Sequence, residues 1–191
     1  MVSFLNKLFK VVLTFISMDI TLLEGFGYKG EILKKIPKLP SKELVIVQGG
    51  DDTINRLALS SRYVDVLLDP HLGQRKDFMH QRNSGLNHVL CTLAKEHTVA
   101  VGFSFSSILH SLQRAKDLGR IIQNIHLCRK YKISMVIGSF AKDAWELRNE
   151  KDLQAFFKVL GMTGKEVQMG FVQKRLEYKR RFVQKGVMLA E

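Results

Sequence analysis

The stretch Tyr63–Asp77, YVDVLLDPHLGQRKD, decides how this chain reads. Its run from Val64 to Leu68 stops at Asp69 and Pro70, and polar residues follow at once. A short apolar run closed by turn residues is the signature of a strand buried on both faces of a parallel sheet. The same grammar recurs at Leu44 to Val47 before QGGDD, Val99 to Phe103 before SFSS, and Met135 to Ile137 before GSFAKD. Val11 to Ile16, ended by Met18 and Asp19, is read as a buried first strand.

Helices are expected between these runs. Ser84 is a candidate cap for a helix through SGLNHVLCTLAKEH, with Leu86, Val89, Leu90 and Leu93 on one face. From Ser106 or Ser107 a longer helix would align Ile108, Leu112, Ala115, Leu118, Ile122 and Ile125, ending at the cationic Arg129 to Lys132. Alternating strands and helices predict an α/β fold with a parallel sheet and right-handed crossovers. No GxGxxG or GxxxxGK[ST] follows any strand, and the polar residues gather after strand ends, which favours a TIM-barrel-like closure over an open nucleotide-binding sheet. At 191 residues in one domain, 1–191, some barrel units must be short. Leu23 to Lys42, with Gly25, Gly27, Gly30, Pro37 and Pro40, is the expected compressed region. A basic amphipathic helix is expected at about 163–185, ended by Gly186, with an edge strand at Val187 to Leu189.

Composition narrows the function. The chain has 30 Lys and Arg against 18 Asp and Glu, a net charge of +12, which favours a polyanionic partner. Cys91 and Cys128 stand outside any CxxC or Cys/His spacing, so both are read as buried core thiols in a reducing compartment. Val11 to Ile16 is too short to span a bilayer and lacks a small-residue cleavage site, so the expectation is a soluble protein with no membrane partner, and a compact chain without a low-complexity tail favours a cytoplasmic one.

Two chemistries compete at the strand ends. Asp69, His71, Arg75, Lys76 and Asp77 follow a strand where a barrel holds metal ligands or an acid and base. Yet none of His71, His80, His88, His97, His110 and His126 is paired at i, i+2 or i, i+4, so Asp69 and His71 are read as a hydrogen-bonded turn and no catalytic or metal residue is assigned. Binding to a ribose-phosphate chain accounts for more residues. Arg56, Arg75, Lys76, Arg82, Lys142 and Arg148 follow strands and would converge at one rim of a closed parallel sheet, with Lys174 and Arg175 adding a basic helix face. Phe78, Phe105 and Phe140 lie in the same loops as candidate stacking groups or core lids, and Trp145 is expected to be packed.

The ordered series GGDDTINRLAL, YVDVLLDPHLGQRKD, NSGLNHVL, VAVGFSFS, HLCRKYKISMVIGSFAKDAWELRNEKDL and VLGM, covering Leu44 to Met162, resembles the ribonuclease P protein component 3 family of archaea and eukaryotes. The resemblance implies a TIM-barrel-like fold related to the polymerase and histidinol phosphatase (PHP) barrels. It implies a protein subunit of the ribonucleoprotein endonuclease that removes the 5′ leader of precursor tRNA. In that particle the RNA carries the chemistry and Mg2+ enters through the RNA, so the chain itself is expected to hold no cofactor. The implied partners are the RNase P RNA, protein component 2 and precursor tRNA. PHP enzymes hold their metals with an HxH motif, absent here, so the alternative of a metal-dependent phosphoesterase gains nothing from the barrel. The loop GQRKDFMHQRNSG is longer than the family's compact form and adds His80 and Arg82, and the part before Leu44 is shorter than the family's first two units.

Overall fold

The apolar runs become strands, and the turn residues after them become the carboxyl rim of a sheet. The computed structural model describes residues 20–21, 28–29, 32–37, 41, 43–171, 182–184 and 187–188. Strands β3 (Ile32–Leu33), β4 (Ile46–Gln48), β5 (Val66–Leu68), β6 (Ala100–Ser104) and β7 (Met135–Gly138) lie side by side in that order as a five-stranded sheet. Every pairing is parallel, with Ile46 opposite Val66, Val66 opposite Ala100, and Val101 opposite Met135. Short strands β1 (Ile20–Thr21) and β2 (Tyr28–Lys29) form a separate parallel pair, and β1 approaches β7.

Alternation along the strands splits the core in two, because successive side chains point to opposite faces. Val45, Val47, Leu67, Val101, Phe103 and Ile137 face the helical layer, where Phe103 and Phe157 pack 6.4 Å apart. Leu44, Ile46, Val66, Leu68, Ala100 and Val136 form a second buried cluster on the other face, with Phe140 and the half-buried Ile32. Both faces of the sheet are therefore dry, as its continuous apolar runs require.

The helices are α1 (Asp52–Leu59), α2 (His88–Glu96), α3 (Phe105–Leu109), α4 (Arg114–Tyr131), α5 (Glu150–Val159) and α6 (Gly164–Met169). Three expectations need correction. Helix α2 begins at Asn87, whose side chain accepts from the Leu90 amide; Ser84 lies outside it, and Val89 faces solvent. The long helix expected from Ser106 is broken: α3 ends at His110, α4 starts after Gln113, and Leu112 between them is fully exposed. The buried face of α4 is Asp117, Arg120, Ile121, Asn124, Ile125 and Cys128, so Ala115 and Ile122 point outward. The break turns the second helix relative to the first, and one period cannot be carried across it.

The third correction concerns the C-terminus. Helix α6 is capped by Thr163 and Glu166 in a capping box but ends at Gly170. Phe182–Gln184, expected inside the basic helix, instead forms β8, antiparallel to β9 at Val187–Met188. The expected strand at Val11 to Ile16 and the candidate contacts Lys174 and Arg175 lie outside the described residues. Of the region Leu23 to Lys42, expected to be compressed, the described residues form the short β2 and β3. Cys91 and Cys128 are core residues; burial pushes the Cys91 thiol up to about 11 and the Cys128 thiol well up too.

His71 makes a testable contribution to this fold. It is fully buried, neither ring nitrogen has a partner among the described residues, and burial drives its pKa down to about 4. An unfolded histidine takes its proton near pH ~6.5, so the neutral ring supports folding above that pH and the support is lost as pH falls towards 4, an effect of about 3 kcal/mol. Asp69 runs the opposite way: burial raises it to about 7, so its contribution is present at low pH and lost as pH rises through 7. The two offset each other between pH 4 and 7. Urea melts of a His71→Phe variant should show stability rising on acidification from pH 7 to 4.5, where the parent stays nearly level; matched profiles would contradict the assignment.

Candidate nucleic-acid interface

The loops leaving β4, β5, β6 and β7 meet at one end of the sheet, and buried polar side chains join them. Asn55 on α1 is fully buried; its Nδ2 donates to the Pro70 and Gly85 carbonyls at 3.0 and 3.3 Å while its Oδ1 accepts from the Gly50 amide at 3.1 Å. Arg75 is 5% exposed in its side chain and ion-paired with Asp52. Its Nη2 donates to the Gly50 carbonyl at 2.6 Å and its Nε to the Leu72 carbonyl at 3.1 Å. Arg120, reaching up from α4, donates to Asp77 Oδ1 at 3.0 and 3.1 Å and to the Arg75 carbonyl at 2.8 Å, and lies 3.5 Å from Asp117. These three side chains tie α1, α4 and the 69–85 loop into one frame.

Glu146 does the same for the loop after β7. Its carboxylate accepts from the Ser106 hydroxyl at 2.8 Å and the Lys142 amide at 2.9 Å, and pairs with His110. Burial works against its charge, yet the Lys142 amide, His110 and Ser106 together hold it down to about 2.

The cations expected at the rim divide by this framework. Lys76 and Lys142 are exposed and form no ion pair among the described residues. Arg82 is exposed and its guanidinium lies over Gly119 of α4, where an added Cβ would sit 2.4 Å from it. Arg75 is instead occupied by protein acceptors, and Arg148 donates to the Trp145 and Leu147 carbonyls and stacks its guanidinium 5.2 Å from the Phe105 ring. Arg56 is exposed but belongs to the last turn of α1, because Asp51 caps that helix earlier than a loop reading assumed. Phe78 is 65% exposed, Phe105 packs edge-on against Phe156, and Phe140 is buried. Trp145, expected to be packed, is 91% exposed: Glu146 is the inward anchor of that turn.

Between the loops lies a cavity of about 390 Å3 lined by residues that include Asp69, Ser104, Ser107, His110, Gln113 and Lys142. The Leu72 amide donates to the Asp69 carbonyl at 3.2 Å and closes a turn at the strand end, but the Asp69 carboxylate accepts from the distant Ser104 amide at 2.9 Å and the His71 ring has no partner among the described residues. Among the described residues no three His, Cys, Asp or Glu side chains gather as ligands for a metal ion, and no helix is long and apolar enough to cross a membrane. Asn55, Asp117, Arg120, His110 and Glu146 escaped the sequence reading. The acid and base three apart at Asp117 and Arg120 were the available signal.

Comparison with known proteins adds to this geometry. A family model described as RNase P subunit p30 matches residues 19–175. Ribonuclease P protein component 3 of Methanocaldococcus jannaschii is 34% identical over 133 residues, 68% of this chain and 54% of that protein. The Methanosarcina mazei protein of that name is 32% identical over 159 residues, 79% of this chain and 63% of its own length. The Thermococcus gammatolerans one is 38% identical over 123 residues, 63% of this chain and 54% of its own. This chain therefore aligns with little more than half to under two thirds of these relatives. A cryo-EM structure of archaeal ribonuclease P with mature tRNA contains a chain with TM-score 0.64 and 28% identity, covering 78% of this chain and 64% of that one.

Proposed function

Because this chain belongs to the RNase P subunit p30 family, we propose that it serves as a protein subunit of ribonuclease P, binding and supporting the RNA that removes the 5′ leader of precursor tRNA. The observation that carries the reading is the placing of Lys76, Arg82 and Lys142 on loops at one end of the parallel sheet, over a frame that already occupies Arg75, Arg120 and Arg148. The exposed cations of these loops are the phosphate contacts; Arg56, exposed in the last turn of α1, is a further candidate. Lys174 and Arg175 extend the set in sequence. Recognition is of shape and backbone, which suits contacts from loops to an RNA fold.

The chain supplies no reacting group in this reading. Mg2+ works within the RNA, and the protein's part is to offset phosphate repulsion so that the RNA reaches its active shape at lower magnesium. Protein component 2 is the proposed protein partner, and the cytoplasm the proposed location. We also take the sheet as part of a shortened TIM-barrel-like single domain: both its faces are buried, and β1 approaches β7 at its edge. The phosphoesterase alternative has nothing among the described residues to favour it.

Reconstitution tests the proposal. The full chain added to a component 2 protein and RNase P RNA should lower the magnesium needed for precursor tRNA cleavage, while the chain alone cleaves nothing. Cleavage by the chain without RNA, abolished by Asp69→Ala, would overturn it.

A further inference from the structure

We propose that the cavity at the carboxyl ends of β4 to β7 receives one unpaired nucleotide of the bound RNA, base inward and phosphate at the mouth, an inference that rests on the RNA-binding role above. The volume of about 390 Å3 lies within the range of small-molecule sites, ~300–1,000 Å3. Its wall mixes Leu72 and the edge of the largely buried Phe140 with Ser104, Ser107 and Ser111, whose hydroxyls also bond within the protein to the Ser107 amide, the Ser104 carbonyl and Asp117, and which keep acceptor capacity for a base edge. A nucleobase asks for that mixture, apolar surface against its faces and convergent hydrogen-bonding groups for its edge.

The charges set the orientation. Arg120 lies in the wall, but its donors are taken by Asp77, Asp117 and the Arg75 carbonyl. A phosphate driven deep would meet the carboxyls of Asp69 and Asp117 with no cation to spare; a neutral ring would not. Lys142 lines the same cavity, is exposed, and has no ion-pair partner among the described residues, so the phosphate belongs beside it. Asp69, 1% exposed, accepts from the Ser104 amide and bonds the Ser107 hydroxyl, and burial raises its pKa to about 7, so a base edge that displaces the Ser107 contact meets it as donor or acceptor. Asp69 and Phe140 both adopt φ +48, and backbone strain at such residues is typical of sites held in shape for a ligand.

The test titrates the full chain with AMP, CMP, GMP, UMP and inorganic phosphate, followed by NMR of the Ser104, Ser107 and Gln113 amides. At least one nucleotide should bind saturably with Kd of order 1 mM, phosphate alone should leave these amides unmoved, and Gln113→Trp, which lays an indole across the mouth, should weaken the nucleotide ~10-fold or more. Gln113 is exposed and its side chain makes no cap bond, so the variant should fold. Should it not, Asp69→Asn, which tolerates the left-handed backbone, should change the order of preference among the four bases. Shifts by phosphate equal to those by nucleotide, no saturation by any nucleotide, or an affinity untouched by both variants would each overturn the inference. Salt-sensitive binding of RNase P RNA without any mononucleotide in the cavity would overturn this inference alone. A mononucleotide seated in the cavity of a chain that ignores the RNA would overturn the proposed function alone.

Discussion

Gly85→Ala is expected to cost about 3–5 kcal/mol, a large share of the stability of a domain whose total is ~5–15 kcal/mol. Gly85 has φ +77, and a Cβ there would stand 1.9 Å from the Pro70 carbonyl oxygen, 2.8 Å from its carbon and 3.0 Å from Asn55 Nδ2. Those are the atoms of the Asn55 clamp, so relief of the overlap must open the hydrogen bonds to Pro70 and Gly85. The left-handed backbone adds strain for any Cβ, and a buried amide left without acceptors adds its desolvation. Urea unfolding should show the midpoint falling steeply; a loss under ~1 kcal/mol would mean that the clamp is looser than its geometry.

Arg120→Ala should cost a similar ~3–5 kcal/mol, the range for breaking a buried pair by removing one partner. Its guanidinium is 3% exposed and serves Asp77, Asp117 and the Arg75 carbonyl at once. Lysine restores the charge but cannot reach three acceptors from one ammonium, so Arg120→Lys should recover less than half of the loss. The position of Arg120 also separates frame from interface. Loosening the 75–83 loop should weaken RNA binding while leaving its salt slope unchanged, because this arginine is not a phosphate contact. Urea melts and a salt titration of the same variant check both statements, and a slope reduced by ~1 would place Arg120 on the RNA instead.

The strands were legible because each is a short apolar run bounded by turn residues, and the four runs from Leu44 to Ile137 pair in parallel where the pattern put them. The helical faces were harder to read. Residues 110–113 carry no proline or glycine to announce the break between α3 and α4, and a single periodicity drawn through Leu112 placed an exposed residue in the core. The site was legible in location but not in roles. A cation in a loop reads alike whether it faces solvent or folds back, and only the carbonyls of Gly50 and Leu72, distant or local in sequence, show that Arg75 folds back. Glu146 was hidden for a related reason: its neighbour Trp145 has the apolar surface that a sequence reading sends inward, while Ser106 of α3, His110 at the end of that helix and the Lys142 amide draw the carboxylate in instead.

The central claim is that Lys76, Arg82 and Lys142 contact phosphates while the buried arginines only hold their loops. The direct measurement is the affinity of the full chain for RNase P RNA between about 50 and 200 mM salt, for the parent and for the Lys76→Ala, Arg82→Ala, Lys142→Ala triple variant. The account predicts a slope of log affinity against log salt smaller by ~2–3 in the triple variant, with its urea midpoint unchanged. An unchanged slope in that folded variant would contradict it.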